Sequence, residues 1–266
     1  MPVRSQSEVG SLLRQWRERR RLTQLGLALD AGISARHLSF VETGRSQPGR
    51  EMLLRVSEQL KLPYREQNRL LLTAGHAPAY PERSFDDADL APVRDALDLI
   101  LSGHEPYPAV AVDRAWNMVA ANSAMLALTE GIEVDPELLE PPINVIRIGL
   151  HPRGLAPLFV NLGDWHAHWL KRLESQLAAT GDEQLAALID EVAAYPVPGR
   201  EIAAEGAPDE MLGPVRVRTR EGGELAFFGM FASFDTPFEV TTSELALELL
   251  FPADARTQQA FKKGPT

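Results

Sequence analysis

The chain has 266 residues, 44% of them apolar, which is enough to core two domains of ordinary size and too much for a disordered bulk. It contains no cysteine, so a disulfide framework, a thiolate metal site and a cysteine nucleophile are excluded, and no apolar run reaches the roughly 18 residues of a membrane span. The net charge of −10 divides unevenly: residues 1–70 carry 13 Lys and Arg against 7 Asp and Glu, and the remainder is strongly acidic, a footprint expected when only one domain meets a polyanion. The opening MPVRSQSEVG lacks the apolar core of a signal peptide, and a cytoplasmic location is the expectation.

In chain order, Ser7–Arg20 reads as a first helix with Val9, Leu12, Leu13 and Trp16 at helical spacing. Its other side and exit carry Arg14, Arg17, Arg19, Arg20 and Arg21. The stretch Leu22–Pro48 then reads as two short helices around a glycine turn. Thr23 would cap the first, with Gln24 beside it and Leu27, Ala28 and Ala31 inward. Gly32 ends it, Ile33 plugs the core, Ser34 caps the second, and Leu38 and Val41 share one face. Gly44 stops that helix. Two more amphipathic helices follow, Glu51–Leu60 and, opened by Pro63, Tyr64–Ala74, where Leu70, Leu71 and Leu72 would close the core.

The stretch Leu22–Pro48 resembles the helix-turn-helix of the Cro/lambda-repressor type at its Thr-Gln, Ala, Gly-Ile-Ser, Val-Glu and Gly positions. In such a domain the second helix lies in the major groove. Base contacts are therefore expected from Ser34, Ala35, Arg36, His37, Ser39 and Phe40, with Arg36 suited to guanine and Phe40 to a thymine methyl. Phosphate contacts are expected from Arg17, Thr23, Gln24, Arg45 and Gln47. Leu25, Gly26 and Leu29 depart from the pattern, since those helix positions are usually polar. The two leucines would form an exposed apolar pair, either facing the second domain or a partner subunit or lying on the surface as scattered leucines do.

Residues 1–75 are thus expected to be an all-α five-helix DNA-binding domain, 76–90 a Pro-rich linker, and 91–266 a second domain. Ala91–Gly103 reads as a helix. Tyr107–Asp113 and Trp116–Asn122 read as a hairpin, after which Asn122 caps a helix. Strand, turn, strand and capped helix is how PAS-type sensor domains begin. PINVIRIG is a short apolar helix, and Asn161 would cap a long one, Leu162–Ala179, whose Trp165, Trp169, Leu173 and Leu177 form a buried stripe. Asp182 caps another, running to Tyr195, and 196–214 is a loop. VRVRTR alternates, and LAFFGMFASF (225–234) is apolar in both phases, so a central strand covered on both sides is expected. Thr241–Phe251 reads both ways, with a capping-box pair at Thr241 and Glu244 against alternating Leu245, Leu247 and Leu249. Residues 257–263 read as a basic helix end.

Four blocks widen the resemblance: HLSFVETGRSQPGREMLLRVSEQL, YPAVAVDRAWNMVAAN, PPINVIRIGLHPRGLAPLFVNLGDWHAHWL and ELALELLFPAD are similar to MmyB-like regulators. That likeness spans residues 10–260 and implies an α+β PAS-like ligand-binding domain with an antiparallel sheet, for which a fatty acid is the ligand type. The candidate lining is Trp116, Val119, Ile146, Leu150, Phe228, Met230 and Phe231, with Asn122, Arg147 and His151 as anchors for a carboxylate. His166 and His168 lie two apart on a helix and so point apart, which opposes a metal pair. Lys171 sits on a solvated face, so a Ser–Lys self-cleaving repressor is disfavoured. The reading is a ligand-responsive regulator with no cofactor and no enzymatic activity, bound as a homodimer to a double-stranded DNA operator and away from membranes. A DNA-tethered enzyme and an antitoxin-like interaction repressor are the alternatives.

Overall fold

The computed structural model describes residues 3–197, 213–219, 222–234 and 239–262. They fall into two units, Met1–Ser84 with Thr236–Ser243, and Phe85–Asp235 with Glu244–Thr266.

The first unit is built on α1 (Val3–Arg19), α2 (Gln24–Asp30), α3 (Ala35–Glu42), α4 (Arg50–Gln59) and α5 (Tyr64–Thr73). Its ends form as local chemistry dictates: Thr23 Oγ1 accepts from the Gly26 amide, Ser34 Oγ accepts from the His37 amide, and Gly32 takes φ +63° between the two helices. Leu13, Leu27, Leu38, Leu53, Leu60, Leu70 and Leu71 are fully buried, whereas Leu72, expected in the core, is exposed because it lies on the far side of α5. Gly10 is a feature that the sequence pattern did not single out. A Cβ there would run into the Val41 carbonyl oxygen and lie 2.9 Å from that of Glu42, so α1 and α3 touch backbone to side. Gly10→Ala is expected to cost about 1–3 kcal/mol by overpacking, since backbone cannot turn aside as a side chain can. Denaturant titration of the full chain measures it, and an unchanged first midpoint would rule out the close approach.

Residues 76–90, expected as a linker, do not behave as one over their first part: the chain is packed on the first unit as far as Ser84. Tyr80 stacks on Tyr64 with centroids 3.9 Å apart, and Asn68 Oδ1 accepts from the amides of Ala79 and Tyr80. Arg83 donates to Glu239 at 2.8 Å, next to α11 (Val240–Ser243), which belongs to this unit.

The second unit is α+β, with an antiparallel sheet as the PAS-like resemblance implied. It contains α6 (Ala91–Gly103), β1 (Ala109–Val112), β2 (Met118–Ala121), α7 (Ser123–Ala127), α8 (Val145–Leu150), α9 (Leu162–Thr180), α10 (Glu183–Ala193), β3 (Val215–Arg218), β4 (Glu224–Ser233), β5 (Ala246–Pro252) and α12 (Ala255–Lys262). The strand order is β2-β1-β5-β4-β3, every pair antiparallel, so the last strand in sequence is the middle one in space. The ambiguity of 241–251 resolves into both forms in succession. One helical turn ends at Ser243 and the leucine alternation then builds β5, with the Thr241 hydroxyl donating to the Arg83 carbonyl.

One sheet face packs Leu247, Leu249, Ala109 and Ala111 against Leu97 and Leu101 of α6. The other packs Val110, Val215 and Phe227 against Ile146, Leu150, Trp165, Trp169 and Leu173, the stripe on α9 included. β4 departs from expectation, since its outer face is covered only toward its end, at Ala232: Phe227 is 1% exposed, while its neighbour Phe228 is 51% and Met230 48% exposed. Asn161 does not cap α9. It spans to β3 instead, accepting from the Arg216 amide and donating to the Pro214 carbonyl. Most of the expected loop 196–214, with Arg220 and Glu221 of the expected turn, lies outside the described residues.

Candidate DNA-reading face and ligand cavity

The chemistry of the first unit begins at one buried acid. Glu42, the last residue of α3, accepts both Nε and Nη2 of Arg17 at 2.7 and 2.8 Å and Nε2 of Gln24 at 2.7 Å. Arg17 also donates to the Leu22 carbonyl, and its guanidinium is held above its ordinary pKa first by the bond to Glu42. Arg17 was expected at a phosphate, and the structure corrects that: a side chain buried on a bidentate partner has no fork left to present. Its role is to lock α1 to the helix that follows the turn. The signal was present in the Val-Glu position of the motif, where an acid follows the inward Val41.

Arg14, Arg19 and Arg20, on α1 and its exit, are held less tightly, and Arg19 is exposed over the Trp16 ring. Arg14 pairs with Glu18 at 2.7 Å, and Arg20 donates to the Leu60 carbonyl while lying over Trp16. Gln24 keeps one N–H beyond its bond to Glu42, and Gln47 Nε2 reaches the Ala74 carbonyl at 3.3 Å. Thr23 and Ser34 spend their hydroxyl oxygens on caps, and Ala35 packs on the core edge. What α3 offers outward is Arg36, exposed and lying over the Phe40 ring at 5.2 Å, with His37, Ser39 and Phe40 half-buried beside it. Arg45 is exposed in the following turn, its amide bound to the Phe40 carbonyl. Leu25 and Leu29 are 61% and 70% exposed, the apolar pair that the sequence announced.

In the second unit a cavity of about 650 Å³ opens between the inner sheet face and the segments that cover it. Its wall is apolar: Val110 of β1, Ile146 and Leu150 of α8, Trp165 and Trp169 of α9, Phe227 of β4 and Leu250 of β5. Of the expected lining, Ile146 and Leu150 face it. Trp116 and Phe231 stand behind the wall, edge to face with Trp169 at 4.8 and 5.9 Å. The Trp116 indole N–H is bound by Gln176, and its backbone takes φ +68°, held by the amides of Ala115 and Asn117 on the Asp113 carboxylate. Val119 packs on the opposite, α6 face, and Phe228 and Met230 point away as well. A strand apolar in both phases gives no register from its sequence, and the pleat places Phe227 inward instead.

The three expected anchors are engaged elsewhere. Asn122 Oδ1 accepts from the Ala109 and Met125 amides, and its amide nitrogen donates to the carbonyls of Leu101 and Tyr107. Arg147 forks onto Glu191, both bonds 2.7 Å, which holds the acid below its usual range; Tyr195, raised chiefly by burial, bonds the same carboxylate. His151 accepts from the Arg153 amide and lies edge-on to Tyr195. The polar group on the inner wall is one the sequence reading passed over, Glu248 of β5, flanked on the strands by Val110 and Phe231. Burial pushes its carboxyl up to about 7, with Arg172 of α9 pulling the other way. Arg172 lies 3.7 Å over the Phe231 ring, its Nε buried without a partner among the described residues. His166 is buried and bonds the Val192 carbonyl, while burial lowers His168.

The chain matches two families in the order of its units. Residues 13–67 match "Helix-turn-helix", and residues 93–263 match "MmyB-like transcription regulator ligand binding domain". Among curated proteins, the uncharacterized HTH-type transcriptional regulator RghRB of Bacillus subtilis is 31% identical over 118 residues, 44% of this chain and 76% of that protein. Among solved structures, the restriction-modification controller protein C.AhdI from Aeromonas hydrophila is 26% identical, covering 23% of this chain and 92% of its own, at a TM-score of 0.22. The clp gene regulator ClgR from Corynebacterium glutamicum is 22% identical, covering 38% and 95%, at a TM-score of 0.24.

Proposed function

The chain belongs to the family of MmyB-like transcription regulators, and on that premise we propose how it reads DNA and what it senses. It is a DNA-binding transcription regulator with a helix-turn-helix domain and a ligand-binding domain. In our reading α3 enters the major groove with Arg36 on guanine, the Phe40 ring beneath the guanidinium holding it extended toward the base edges. Gln24, Arg45, Gln47 and the capped helix starts at Thr23 and Ser34 would then bear on phosphates. Two copies of the chain bind a two-fold operator, with half-sites about 10–10.5 base pairs apart centre to centre.

The ligand is a small molecule with an apolar body of the acyl kind, whose occupancy sets whether DNA is bound. The observation that carries this is the cavity, since about 650 Å³ with an apolar wall is the size and character of a built small-molecule site. No helix among the described residues is long and apolar enough to cross a membrane.

Selection of bound sequences from random DNA, run with and without the lipid extracted from the purified protein, tests both halves. A recovered two-fold motif whose enrichment changes with the extract is the expected result; enrichment of no motif would remove the reading role. Arg36→Ala is expected to weaken cognate binding by about 1–3 kcal/mol and relax preference at one base pair. Equal loss on cognate and random DNA would reassign Arg36 to the phosphates.

A further inference from the structure

The inner wall of the cavity carries a carboxylate where an apolar ligand would meet it. Glu248 sits on the middle strand of the sheet, among Val110, Phe231 and Leu250, with protein packed about it and its free surface turned to the cavity. Among the described residues its carboxylate makes no hydrogen bond and no ion pair, the backbone alone being paired in the sheet. Its one charged neighbour is Arg172, which acts on it through space from α9 while lying on the Phe231 ring. β1 and β4 flank it with Val110, Phe231 and Gly229, none of them charged, and the other charged side chains of the cavity, Glu130 and Arg218, are exposed. An unpaired acceptor in an apolar wall is costly in the empty protein, and a ligand group that satisfies it recovers that cost on binding.

We infer that Glu248 is the residue that selects the ligand by its polar end, favouring an apolar body that carries an N–H or O–H donor, an amine or a hydroxyl, over one that carries a carboxylate. This rests on the reading of the cavity as the ligand site. Two carboxylates facing one another in an apolar wall repel, whereas an ammonium or a hydroxyl donates to Glu248. Because burial raises this carboxyl to about 7, the discrimination has a pH window. Above about pH 7 the group is charged and rejects an acid. Below it the group is protonated and itself becomes a donor, so a carboxylate ligand gains and an ammonium loses.

The test uses the full chain and three probes of equal length, decylamine, decanol and decanoate, displacing a bound fluorescent alkyl probe. At about pH 8.5 the amine and the alcohol are expected to bind at least about tenfold more tightly than the acid, and the gap to close at about pH 6. Glu248→Gln, of the same shape, is expected to weaken the amine and strengthen the acid by about tenfold each, an opposed change that a folding defect cannot produce. Its unliganded melting temperature at about pH 8.5 should rise, as the buried charge is gone. If the three probes bind the natural protein alike, or keep their order in Glu248→Gln, the inference is overturned while the cavity reading stands. If no probe displaces the reporter from the natural protein at either pH, the cavity reading falls and this inference with it.

Discussion

Replacing Arg17 by Ala is expected to destabilise the DNA-binding domain by about 3–5 kcal/mol, because it strands Glu42 as a buried charge with no cation. The side chains are 10% and 1% exposed, so neither partner can turn to water without opening the contact between α1 and α3. Gln24 alone, with one N–H on Glu42, cannot neutralise it. The check is denaturant unfolding of the full chain followed through Trp16, against whose ring Arg19 and Arg20 lie. A double substitution, Arg17→Met with Glu42→Leu, is expected to recover most of the loss, since it removes the charge along with its partner. DNA binding separates this role from a phosphate contact. A phosphate contact would lower the salt slope of affinity by about one and leave the unfolding midpoint in place. Loss of slope with unchanged stability would return Arg17 to the DNA.

Phe227→Ala is expected to cost the second domain about 3–5 kcal/mol. The ring is 1% exposed, lines the cavity and meets Phe261 of α12 edge to face at 5.7 Å. Truncation there enlarges a void that already exists, so neighbouring atoms have little to collapse onto, and the cost should sit toward the upper end. Phe228→Ala, one residue on and half exposed, is expected to change stability by less than about 0.5 kcal/mol. The contrast between adjacent phenylalanines, read as the midpoint of the second unfolding transition, tests the register of β4. Equal costs at the two positions would mean that the outer face of β4 is also covered in solution.

Much of the DNA-binding domain was legible because its determinants are local. Thr23, Ser34, Gly32 and Gly44 set caps and turns through backbone contacts within a few residues, and Leu27, Leu38 and Val41 mark an inner face by helical spacing. Arg17 was misjudged for the opposite reason: its partner lies 25 residues away, and an Arg in a basic run looks the same whether solvated or paired. In the second domain, helix stripes such as Trp165, Trp169 and Leu173 were plain, and so was the apolar character of α8. Asn122, Arg147 and His151 were polar residues beside apolar ones, as ligand anchors are. Each is engaged by groups of the fold, some of them up to 44 residues away.

The sequence by itself determined most of the helices and their ends, with 241–251 left between helix and strand, that a basic reading domain precedes an acidic one, and that the second half carries an apolar interior. Those follow from spacing, capping and charge, which act over one or two turns of chain. Only the tertiary structure decided that the last strand enters the middle of the sheet, that Phe227 faces inward and Phe228 outward, and that Glu248 stands in the cavity wall. A strand's side chains alternate whatever its neighbours, but which phase is inward depends on what packs against each face. For β4 and β5 those partners are α6, α8 and α9, remote in sequence, and no local rule chooses among them.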